Sequence, residues 1–362
     1  VLERAQERRD ERSEWQALLD LAALWASTDY QQTREYCEQA VGRAREMNDP
    51  AALGDSLNRL GNWYSNAVQP QDALRYHSEA LTIFERIDDR PGVAATLDLL
   101  GVTFYMAGDM GKARHYYSRA IPLLRLIDDR PRLSSALTTI FASVGQDWAS
   151  WTVRPQTVPP SLGKDARELI EEAVEIARSI GSRAAESYAI GVLGALSSMQ
   201  GDLRSGFNEL YASLRIAQEI DHVLWSTSSS IRLGFAYHEL LIHDRAQECF
   251  RHAIDLAGEM DAPFFQQAAT SMLVLDLIET GDVVEAESVL GVYGSSDTEL
   301  GTLAQRALRL AYCALLLAQD QPKEALRSID TLIESIPPGG ICLSPHLLRL
   351  RGEILIAAHR FG

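Results

Sequence analysis

Hydrophobic and polar positions along the chain alternate with a helical period, then reset. Leu97, Leu100, Gly101 and Phe104 fall at i, i+3 and i+4 spacing, one stripe of an α-helix. Gly108-Asp109 ends that stripe, and a second follows with Ala113, Tyr116, Tyr117, Ala120 and Leu124. The pattern predicts two helices folded back on each other across a short turn. Small residues let the two axes approach, and the aromatics fill the space beside them. Equivalent breaks stand at Gly201-Asp202 and Gly281-Asp282, and at Gln319-Asp320-Gln321-Pro322, where a proline follows the turn.

The hairpin recurs. Ala40, Ala80 and Ala120 are spaced by 40 residues, as are Met47, Ile87 and Ile127. The turns Asn48-Asp49-Pro50, Asp88-Asp89-Arg90 and Asp128-Asp129-Arg130 keep the same step, and so do Ile180, Ile220 and Met260. A fixed period of this size is the mark of a repeat array, which also suits 362 residues better than one compact core.

The residues inside the period resemble the tetratricopeptide repeat. That family sets a Gly and an aromatic three residues apart on its first helix, then Ala, an aromatic and Ala on its second. Here the matches are Gly61/Tyr64/Ala73/His77/Ala80, Gly101/Phe104/Ala113/Tyr117/Ala120 and Gly234/Tyr237/Ala246/Phe250/Ala253. The unit is about six residues longer than the family's, with the excess in the turn between units. The longer unit is similar to that of sensor regions in bacterial STAND-type signalling ATPases and maltose-activator-like transcription regulators. The resemblance implies an all-α fold, a right-handed solenoid of antiparallel helix pairs with eight to nine units.

Residues 1–13 read as the end of a preceding helix. Residues 14–362 read as one array with units at 14–47, 54–87, 94–127, 134–180, 187–220, 227–260, 267–296 and 306–336, and a partial one at 345–362. The fourth unit carries an insert at 145–163 holding Trp148, Trp151 and three prolines, which forbid a continuous helix. It reads as an irregular joint packed on neighbouring helices, or as a lid over the groove. Both ends lack a polar capping element, so the chain reads as a segment of a longer polypeptide.

A net charge of -16 disfavours nucleic acid as a direct partner. No apolar run reaches the ~20 residues of a membrane span, and the N-terminus has no signal-peptide pattern. Cys37, Cys249, Cys313 and Cys342 form no close pair. They read as free thiols of a reducing compartment, and the expected location is cytoplasmic. No HExxH, GxSxG, GxGxxG or phosphate-binding loop is present. Histidines are scattered, His77 and His115 reading as packing or solvated residues. Glu168, Glu171, Glu172 and Glu175 read as a solvated helix face. The sequence therefore predicts no enzyme, no cofactor and no metal site.

In the resembling family the first helices line a concave groove that binds partners. Carrying its groove positions over residue by residue selects Asp55, Asn58, Asn62 and Asn66, with Arg59 beside them. Further along it selects Asp98, Tyr105, Thr138, Tyr188, Phe235 and His238, with Arg232 adjacent. Asn58, Asn62 and Asn66 form a row at i, i+4 and i+8, suited to an extended peptide backbone if it faces the groove. The expected function is a non-catalytic interaction or effector-sensing module, the sensor arm of a larger bacterial signalling or transcription-regulating protein. It would bind a protein, peptide or small effector and contact flanking domains. A free-standing adaptor or co-chaperone scaffold and a peptide-pheromone receptor are the alternatives.

Overall fold

A computed structural model describes residues 10–25, 30–142, 160–293, 299–337 and 345–360. Among these the protein is all α. In chain order the helices are α1 (Glu11–Trp25), α2 (Tyr30–Glu46), α3 (Pro50–Asn66), α4 (Pro70–Arg86), α5 (Arg90–Met106), α6 (Met110–Leu126), α7 (Arg130–Ala142), α8 (Pro160–Ser179) and α9 (Arg183–Met199). They continue with α10 (Leu203–Glu219), α11 (Val223–Glu239), α12 (His243–Glu259), α13 (Pro263–Thr280), α14 (Val283–Tyr293), α15 (Leu303–Ala318), α16 (Pro322–Glu334) and α17 (Pro345–Arg360). They stack as sequential antiparallel pairs, α1 with α2 through α15 with α16, forming an α-solenoid. None of the described helices is long and apolar enough to cross a membrane.

The forty-residue step is written in the turns. Asn48, Asp88 and Asp128 each take a positive φ of 51–54° between pairs, where a short polar side chain tolerates the left-handed region best. The next residue then caps the following helix: Asp49 accepts from the Ala52 amide at 3.0 Å and Asp89 from the Gly92 amide at 3.1 Å. Pro50 occupies the first turn of α3, where a missing N–H costs nothing.

Within a pair, glycine on the first helix meets an aromatic ring of the second. A Cβ on Gly101 would stand 2.7 Å from the Tyr117 ring, and one on Gly234 2.5 Å from that of Phe250. Only hydrogen fits there, so the interlock needs glycine at both places. Ala40, Ala80, Ala120 and Ala253 are fully buried between helices.

The solenoid closes on itself. Val68, Met106 and Met110 of the second and third pairs share one apolar cluster with Leu303, Ala304 and Ala307 of α15. Arg306, in the first turn of α15, donates from Nη1 to the Ala107 carbonyl at 2.7 Å, across 199 residues of chain. Ala107 caps the C-terminus of α5, whose last carbonyls lack helical donors, so a cation there also meets the negative end of the helix dipole. Thr302 and Gln305 hold the start of α15 in a reciprocal capping box.

Candidate functional site

Closure leaves a hollow on the inner face of the solenoid. A cavity of about 180 Å³ is lined by Asn66 of α3, Val102, Tyr105 and Met106 of α5, Ser135 and Thr139 of α7, and Tyr188 of α9. Leu224, Trp225, Ser228, Ile231 and Arg232 of α11 and Phe264 and Phe265 of α13 complete it. These are the first helices of successive pairs, which the stacking brings side by side. A second hollow of about 180 Å³ adjoins it, sharing Asn66, Met106, Leu224, Phe264 and Phe265 and adding Met260, Asp261 and Ala262.

The wall is aromatic and tied together by its own contacts. Tyr188 stacks on Trp225 with centroids 4.4 Å apart and planes 13° apart, and His222 stacks on the same indole at 5.6 Å. His222 caps α11, its Nδ1 accepting from the Trp225 amide at 3.4 Å. Burial pushes this imidazole below its ordinary pKa, which keeps the accepting lone pair available. The Tyr188 hydroxyl pairs with Thr139 Oγ1 at 3.2 Å. The buried Arg232 guanidinium lies over the Tyr188 ring at 5.8 Å and donates to Ser228.

Of the residues selected from the sequence, Asn66, Tyr105, Tyr188 and Arg232 line this cavity. Asp55, Arg59 and Asn62 are exposed on α3, outside it. Asn58 departs from the expected open row, for it is buried. Its Oδ1 accepts from His77 Nδ1 at 3.0 Å, and its Nδ2 donates to Thr96 Oγ1 at 2.7 Å. Thr96 in turn donates to the Gly92 carbonyl at 2.7 Å, so every proton in the chain points one way. Asn58 is thus a polar tie between the second and third pairs. Thr138 is buried and bonded to the Ser134 carbonyl. Asp98 is buried with Oδ1 unpartnered, and burial pushes its carboxyl up to about 7. Phe235 is half-buried against the closure cluster. Trp148 and Trp151 lie outside the described residues.

His238 belongs to a separate polar cluster. Its Nδ1 meets Asp276 Oδ1 at 2.7 Å, His243 Nδ1 meets the same oxygen at 2.9 Å, and Gln247 Nε2 donates to Asp276 Oδ2 at 2.9 Å. These three hydrogen bonds hold the Asp276 carboxyl below its ordinary pKa despite burial that raises it.

A tetratricopeptide repeat family model matches residues 53–125, the stretch holding the Gly101–Tyr117 interlock. Those residues are tetratricopeptide repeats. Its fold is similar to the apo form of RapI at 11% identity and a TM-score of 0.56, over 88% of this chain and 99% of that one. It is also similar to a Rap protein complexed with Competence and Sporulation Factor, at 15% identity and 0.55, over 98% and 99%. NprR in complex with its cognate peptide NprX matches at 12% and 0.55, over 95% and 99%. No curated protein matches the sequence.

Sequence reasoning missed most of the groove of this repeat protein. Leu224, Trp225, Phe264 and Phe265 sit in the first turns of α11 and α13, ahead of the unit starts at 227 and 267. The available signal was Pro263, a first-turn residue that marks an earlier helix start. Sequence reasoning also missed His243, Gln247 and Asp276, which no spacing links to His238.

Proposed function

We propose that this tetratricopeptide repeat protein is a non-catalytic recognition module that binds an extended peptide segment along its inner groove. The observation that carries the reading is the pair of adjoining hollows walled by Tyr105, Tyr188, Trp225, Phe264 and Phe265 with the Arg232 guanidinium among them. Each hollow is smaller than the ~300–1,000 Å³ of a usual small-molecule site. Two such spaces in a row suit successive side chains of a peptide. Arg232 suits a backbone carbonyl or carboxylate between them. That NprR is a peptide complex of similar fold adds support by analogy of fold.

In this reading the protein is the effector-sensing arm of a larger bacterial signalling or transcription-regulating protein. Peptide binding between α5 and α13 would bias the closure contact at Arg306 and so reach flanking domains. The buried or half-buried thiols Cys37, Cys249 and Cys313 agree with a reducing, cytoplasmic setting.

The test is an array of short synthetic peptides probed with purified protein, followed by fluorescence polarisation with the peptides retained. Trp225→Ala and Arg232→Met should each weaken binding at least tenfold while circular dichroism stays unchanged. Retained peptides that bind both variants as tightly as the parent would remove the groove from consideration, and an array with no retained peptide would remove the peptide.

A further inference from the structure

Eight residues other than glycine take a positive φ among the described residues, and two of them, Val68 and Leu241, are apolar. Both hold the same place in the unit, directly after the residue that caps the first helix of a pair. A bulky side chain in the left-handed region costs about 1–2 kcal/mol, which burial of that side chain can offset. At Val68 it does: φ is 60° and the residue is 8% exposed. At Leu241 φ is 58°, yet the residue is 70% exposed.

The chain itself shows what covers such a turn. Val68, Met106 and Met110 share one apolar cluster with Leu303, Ala304 and Ala307. Gly301 lies against Pro70, where a Cβ would stand 3.6 Å from the ring. Arg306 donates to the carbonyl of Ala107, the cap of α5. An apolar helix start that carries an arginine thus seats on the pair turns at 66–70 and 106–110. Leu240 holds the same capping place on α11 that Ala107 holds on α5.

The later pair turns present this face to solvent. Met199 and Leu203 of one turn, Leu240, Leu241 and Ile242 of the next, and Val284 of the third are all exposed. The turns are contiguous: Phe207 packs on Tyr237 with ring centroids 4.9 Å apart across the first two, and His243 and Gln247 reach Asp276 across the second two. Asp202, Glu239, Asp244, Glu279 and Asp282 stand exposed around the strip. Arg204 and Arg245 are the exposed cations of these turns, and Arg245 pairs with Glu248 at 2.8 Å. An apolar strip inside a carboxylate rim selects an apolar surface flanked by cations, and the C-terminal end of α11 favours the same sign. We propose that the turns at 199–204, 239–245 and 279–285 form a docking face for another protein, which presents an amphipathic helix with an apolar turn on Leu241 and arginine or lysine over the carboxylates. The face lies on the edge of the solenoid, apart from the groove lining, and stands or falls independently of peptide recognition there.

The probe is a labelled synthetic peptide copying Gly301–Tyr312, the segment that covers the equivalent turns in this chain, titrated with the whole protein by fluorescence polarisation. A second peptide carries Arg306→Glu and Arg309→Glu. The first peptide should bind, and the second at least tenfold more weakly. Leu241→Asp and Ile242→Asp in the protein should each weaken the first peptide at least tenfold. Leu126→Asp, at an exposed leucine of a turn between pairs, should leave it unchanged. Asp320 already takes a positive φ at the place in its pair that Leu241 holds, so Leu241→Asp keeps the turn, and circular dichroism checks it. No binding to the parent, equal binding of the two peptides, or equal binding to Leu241→Asp overturns the docking face. Sedimentation of the parent alone covers the remaining case: a dimer that Leu241→Asp dissociates would assign the face to a second copy and overturn the separate partner.

Discussion

His77 Nδ1 donates to Asn58 Oδ1 at 3.0 Å, from the second helix of one pair to the first. Asn58 passes the chain to Thr96 of the next pair, so one amide joins three helices. Asn58→Ala leaves a buried His77 N–H and a Thr96 acceptor unsatisfied, an expected loss of about 1–3 kcal/mol. Asn62→Ala, on the exposed face of the same helix, is expected to stay within about 0.5 kcal/mol of the parent. Urea denaturation of both variants separates the tie from the surface, and equal midpoints would show that the chain of protons carries no stability.

Two buried groups of the same region impose opposite pH dependences. Burial raises Asp98 from 3.8 to about 7 and lowers His77 from 6.5 to about 3. Between pH ~4 and 7 the native Asp98 holds a proton that the unfolded chain has lost. Its contribution is full below pH ~4 and is lost as pH rises through 7. Below pH ~6.5 the unfolded His77 gains a proton that the native ring refuses, so its contribution is full above 6.5 and is lost as pH falls towards 3. The slopes oppose each other from about pH 4 to 6.5. Asp98→Asn should stabilise the protein at pH 8, with about 4 kcal/mol as the ceiling. The His77 slope should then emerge on acidification. Denaturation midpoints at pH 8 and 4.5 check both, and an unmoved midpoint at pH 8 contradicts the first.

Leu241 occupies the turn position held elsewhere by Gly108, Gly201 and Gly281, with φ at 58° and its side chain 70% exposed. A left-handed backbone costs an L-residue about 1–2 kcal/mol, and little burial offsets it here. Leu241→Gly should therefore raise the melting temperature by a few degrees. A lower one would mean that the exposed leucine packs on something.

Arg306→Met removes the donor to the Ala107 carbonyl while keeping most of the side chain's apolar bulk. The expected result is faster amide exchange at the end of α5 and the start of α15, together with a larger radius of gyration by X-ray scattering. Unchanged scattering would place the closure in the apolar cluster alone.

The repeat itself was legible because local chemistry repeats with it. Asp88 and Asp128 mark the turns, Ala80 and Ala120 the close approach, and Gly101 with Tyr117 the interlock. The groove was legible only where a residue's place in the unit decides its direction, as for Tyr105 and Tyr188. Asn58 was misread because a polar side chain on a groove position looks the same in sequence whether it faces solvent or a buried histidine. The His238 cluster was invisible, since the partners at 243, 247 and 276 meet only through the stacking of three helices.

An open stack of helix pairs behaves as a one-dimensional lattice, in which each unit knows only its neighbours and melting begins at either end. The Arg306–Ala107 contact adds a bond between sites far apart on that lattice. The pairs between α5 and α15 then belong to a ring, and opening any one of them strains the bond that closes it. Such a ring trades independent fraying for a shared transition, at the expense of a slower search for a contact so distant in sequence. A ligand that seats in the hollow it encloses would act on all of those units together.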